Sequence, residues 1–133
     1  MSAFTGSLRL DFGDWGKDVG RIAITLAPMR WTCTDPGHEA DIEIPAGTMS
    51  DGATVPRLLW WFLPPWGDRA TSAAVLHDFL CERLDDGRPF LNCDTRARCD
   101  AQFRFALITL DIPRWRAWLC WAGVRLYSKF LAP

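Results

Sequence analysis

Four acid–base side chains stand where this chain could do chemistry. They are the dipeptide His77-Asp78, Asp100, and Asp51 within the block Ser50-Asp51-Gly52-Ala53-Thr54-Val55-Pro56-Arg57. On a helix predicted over Thr71 to Leu84, the apolar stripe at helical spacing is Ala73, Leu76, His77, Leu80 and Leu84, so His77 falls inside the apolar face. On the following helix the stripe of Phe103, Leu107 and Leu110, extended backward, passes through Asp100 and Arg96. The short connection makes these helices antiparallel neighbours. An imidazole and a carboxylate on facing stripes relieve each other's desolvation by hydrogen bonding. Asp78 points about 100° further round its helix and is placed to face an adjoining loop.

Two readings of this centre are open. In one, Asp100 orients His77 as a general base toward water while Asp78, with Asp51, holds a cation. Carboxylates and loop carbonyls suit a hard cation, Ca²⁺ or Mg²⁺ first, with Zn²⁺ through His77 as the second choice. That reading makes the protein a small metal-assisted hydrolase. In the other, His77 and Asp100 form a buried structural pair and Asp78 caps or salt-bridges the loop that ends at Arg57. The protein is then a non-catalytic component of an assembly. Arg57 and Arg96 flank the centre as candidate binding residues in either case.

Two resemblances bear on this choice. Leu76-His77-Asp78-Phe79-Leu80 with Arg98-Cys99-Asp100-Ala101-Gln102-Phe103 resembles the helix pair of secreted phospholipases A2, where a His-Asp dipeptide supplies base and calcium ligand and a carboxylate on an antiparallel helix orients the histidine. The likeness covers about a dozen residues and lacks that family's glycine-rich calcium loop, its disulfides and its tyrosine. A longer one runs from Ile42 to Phe103. Ile42-Glu43-Ile44-Pro45-Ala46-Gly47-Thr48, the Asp51 block, Leu76 to Leu80, and Arg96 with Cys99-Asp100 resemble the phage and prophage family called domain of unknown function 1353. Here Ser50 stands where that family usually has Thr, Thr54 for Ser, Cys81 for Tyr and Cys99 for Ala. The resemblance implies a phage or prophage origin, with a place in the host bacterial cytoplasm or the virion as a tail or neck component. It implies no reaction.

Other motifs carry less. His38 lies in a Pro-Gly-His-Glu turn and reads as a solvated loop residue. There is no Gly-x-Ser-x-Gly elbow, P-loop or dinucleotide fingerprint, and no organic cofactor is implied. Cys81, one turn after His77, reads as a core thiol. Five cysteines with no Cys-x-x-Cys pair fit reduced thiols, the pairing left open being Cys81 with Cys93 or Cys99.

The elements that must position these residues read as α+β. Ser7 to Phe12, Arg21 to Leu26, Met29 to Thr34 and Ala40 to Ile44 alternate as strands of a small antiparallel sheet. Pro45 to Asp68 is a Pro- and Trp-rich loop, with Trp60, Trp61 and Trp66 as its packing. Three helices follow: Thr71 to Leu84, one capped by Asp94 or Thr95 and ending near Leu110, and Arg114 to Leu131. The third carries Arg114, Arg116, Arg125 and Lys129 and no acid. Its predicted core stripe is Trp115, Leu119, Ala122, Leu126 and Phe130. The side bearing Trp118 and Arg125 is a candidate surface for a structural partner, self-association or a membrane.

The 133 residues fit a single domain spanning 1–133. Fifteen basic against 16 acidic residues argue against nucleic-acid binding by overall phosphate attraction. A hydrophobic content of 49% excludes disorder. No export signal is read at the N-terminus, and no apolar run reaches the roughly 20 residues of a membrane span.

Overall fold

The computed structural model describes residues 2–6, 10–14, 21–50 and 71–130. The N-terminal part is antiparallel β and the C-terminal part three helices, an α+β fold. The strands are β1 (Ala3–Thr5), β2 (Leu10–Asp14), β3 (Arg21–Thr25), β4 (Met29–Cys33), β5 (Ala40–Ile44) and β6 (Met49–Ser50). They form two three-stranded sheets rather than one, in the orders β1-β4-β5 and β2-β3-β6. The two short strands, β1 and β6, carry too few residues for alternation to reveal them.

The β4–β5 hairpin faces the helices. Met29, Trp31 and Cys33 are buried and pair with Ile44, Ile42 and Ala40, while Arg30, Asp41 and Glu43 point outward. Period-two alternation therefore places one wholly apolar face on the core. Gly37, at φ 81°, closes the turn in a region that side chains with a Cβ rarely enter. Phe4 of β1 packs on Trp31 with ring centroids 4.7 Å apart. The sheets meet through Thr25, whose hydroxyl accepts from the Thr48 amide at 2.9 Å and donates to the Pro45 carbonyl at 3.0 Å.

The helices are α1 (Thr71–Asp85), α2 (Arg96–Thr109) and α3 (Arg114–Phe130). Thr95, not Asp94, caps α2, its hydroxyl accepting from the Arg98 amide at 3.1 Å. Asp94 instead lies 3.4 Å from Arg98 as an exposed ion pair. Asp111, in the left-handed region at φ 61°, ends α2, and Pro113 precedes α3. Residue pairs show α1 and α2 running antiparallel: Asp85 meets Arg96 and His77 meets Asp100. Likewise Arg104 meets Trp121 and Asp100 meets Arg125, so α3 runs antiparallel to α2.

One expectation is overturned. The buried face of α3 is Ala117, Cys120 and Val124, whereas Trp115 and Leu126 of the predicted core stripe are 61% and 59% exposed. Small side chains let α3 lie close against α2, and the stripe of larger residues is turned to the opposite side.

Candidate functional site

The predicted dyad is present, and it is extended. His77 Nε2 on α1 donates to Asp100 Oδ1 on α2 at 2.5 Å, and Arg125 Nη1 on α3 donates to Asp100 Oδ2 at 2.8 Å. One carboxylate thus joins all three helices. Asp100 is 0% and His77 3% exposed, and Leu76, Leu80, Phe103 and Leu107 share the buried core. The Phe103 ring stands 5.2 Å from the imidazole. Cys81 Sγ, one turn along α1, lies 3.6 Å from Nε2 and 3.9 Å from Nδ1.

The electrostatics follow from this enclosure. Burial opposes a charge on His77, but the hydrogen bonds to Asp100 and Cys81 and the attraction of the carboxylate outweigh it. The imidazole pKa rises to about 9. Burial likewise opposes ionisation of Asp100, and the imidazolium and the Arg125 guanidinium reverse that, holding its carboxyl below the usual range. The centre is an imidazolium–carboxylate–guanidinium chain at neutral pH. A general base needs a neutral imidazole with a free nitrogen aimed at water. Here Nε2 is engaged and the ring is shut in. The Cys81 thiol is pushed up by its hydrogen bond with Cys99 and by burial, beyond the lowering effect of His77.

The other site candidates fall in different places. Asp78 is half-buried and engaged in an interaction of its own. Asp51 and Arg57 lie outside the described residues, as do Trp60, Trp61 and Trp66. Arg96 is drawn to Asp85 at 3.6 Å at the rim of the α1–α2 contact. Trp118 is 52% exposed. Arg125, expected on that same outer surface, turns inward to Asp100 instead. Among the described residues, no three His, Cys, Asp or Glu side chains converge as a metal-ligand set. A cleft of about 260 Å³ lies over α1, lined by Pro45 to Thr48, Phe79 and Glu82; neither His77 nor Asp100 borders it.

One buried polar residue, Gln102, escaped the reading of the sequence, and His38 was read as more open than it is. Gln102, 0% exposed, accepts from the Trp31 indole at 2.9 Å and donates to the His38 carbonyl at 2.8 Å, tying α2 to β4 and to the turn before β5. His38 is half-buried against Phe105 rather than solvated, and its Nδ1 is enclosed with no hydrogen-bond partner. Spacing alone gave no signal for the inward turn of Arg125, because at about 100° per residue it lies about 20° from Trp118 and about 80° from Ala117.

The family model described as "Protein of unknown function (DUF1353)" matches residues 28–124, well over half of the chain. The chain belongs to this family. The matched span runs from just before β4 to near the end of α3, so two members of the ion-pair chain, His77 and Asp100, lie within it, and Arg125 is the next residue after it. No curated protein and no solved structure matches the chain.

Proposed function

We propose that this DUF1353 member is a non-catalytic phage or prophage assembly component, a tail- or neck-type part, whose polar centre holds three helices in one arrangement. The observation that carries this reading is the closed chain His77–Asp100–Arg125, buried and with both carboxylate oxygens engaged. Such a chain excludes other helix registers, because any slip leaves an unpaired buried charge at a cost of about 3–5 kcal/mol. The phage association rests on the motif resemblance alone.

The metal-assisted hydrolase is the second reading, favoured by the half-buried Asp78 directly beside His77. Melting with and without Ca²⁺, Mg²⁺ or Zn²⁺ separates the two through binding linkage. The assembly reading expects no rise in melting temperature with any of the three. A rise that Asp78→Asn abolishes would overturn it and put the hydrolase in front.

A further inference from the structure

Helix α3 carries two apolar faces. One, Ala117, Cys120 and Val124, is buried. The other, about half a turn away at 3.6 residues per turn, is Trp115, Trp118, Leu119, Ala122 and Leu126. Trp115, Trp118 and Leu126 on it are 61%, 52% and 59% exposed. Three large apolar side chains on one stripe mark a contact surface rather than scattered surface residues.

Charge selects what that surface meets. From Ile112 to Lys129 the sequence has Arg114, Arg116 and Lys129, besides the Arg125 already engaged by Asp100, and no acidic residue. Arg114 is exposed beside Trp115, and Arg104 of α2 lies 5.5 Å over the Trp121 ring at the flank of the face. A second copy is disfavoured. A parallel pairing sets Arg114 against Arg114, and in either orientation α3 brings bases and no acid to the seam. Indole rings and arginines side by side suit the headgroup layer of a bilayer, where the ring seats at the interface and the guanidinium meets lipid phosphate. No helix among the described residues is long and apolar enough to cross a membrane, so α3 would lie flat.

We propose that the Trp115–Trp118–Leu126 face of α3 docks on an anionic membrane surface. This is independent of the role given to His77 and Asp100. The test is co-sedimentation of the full chain with phosphatidylcholine vesicles, with and without phosphatidylglycerol. Binding at least about tenfold stronger to the anionic vesicles, weakening with salt, is expected. Trp115→Ala with Trp118→Ala should lower it at least about tenfold with an unchanged melting temperature, since both rings are exposed. Arg114→Gln should lower it about fivefold. Absent binding, equal binding to neutral vesicles, or binding indifferent to the tryptophans would overturn the proposal. So would a concentration-dependent dimer in light scattering that the Trp double variant dissolves, which would assign the face to a second copy.

Discussion

Replacing Asp100 by Asn keeps the shape of the side chain and removes the charge that His77 and Arg125 both address. The magnitude follows from the imidazole. A tenfold change in proton affinity is worth about 1.4 kcal/mol, so a rise from 6.5 to about 9 corresponds to roughly 3 kcal/mol of folding free energy. Because the folded value lies above the unfolded one, this contribution is complete below about pH 6.5 and is lost as the pH climbs through 9. Asp100 is shifted the other way, so its contribution is present above its unfolded value of 3.8 and lost as the pH falls through the lower folded value. Both describe largely one interaction and are not added. Urea unfolding of the wild type should therefore show a plateau from about pH 4 to 6.5 and a decline of roughly 3 kcal/mol toward pH 9. Asp100→Asn should lower stability by about 3–5 kcal/mol at pH 6 and flatten the alkaline decline. If that variant fails to fold, His77→Gln, which has no proton to titrate, should also lack the decline. A wild-type stability curve flat from pH 6.5 to 9, or a His77 ring titrating by NMR below 6.5, would refute the reasoning.

Two further outcomes follow from other buried groups. Gln102→Leu should cost about 1–3 kcal/mol in urea unfolding, because it strands the enclosed indole N–H of Trp31. All five cysteines are free and buried, and burial pushes the Cys33 and Cys93 thiols up, Cys93 to about 12. A thiol reagent should therefore label none in the native protein and all five after unfolding, by mass spectrometry.

Much of the centre was legible in one dimension because burial periodicity is a local property. The spacing of Leu76, His77 and Leu80 puts the imidazole on the apolar face of its helix, and the stripe through Phe103 does the same for Asp100. Two ionisable groups forced inward on neighbouring helices must find each other. The hairpin of β4 and β5 follows equally from alternation around the Asp35-Pro36-Gly37 turn. Gln102 was not legible, because its partners Trp31 and the His38 carbonyl are more than 60 residues away and belong to the sheet.

The sequence by itself determined that α3 would be a helix with apolar and basic sides, and hydrophobicity alone selects its larger stripe, with Trp115 and Leu126, as the inner one. Only the tertiary structure decided otherwise. Asp100 needs a second cation for its remaining oxygen, and the rotation of α3 that brings Arg125 to it puts Ala117, Cys120 and Val124 against α2. The long arginine side chain reaches Asp100 at 2.8 Å from the flank of α3 while those smaller side chains fill the buried face. The satisfaction of one buried carboxylate, a requirement that exists only once three helices meet, outweighed the apolar area left in water on the other face.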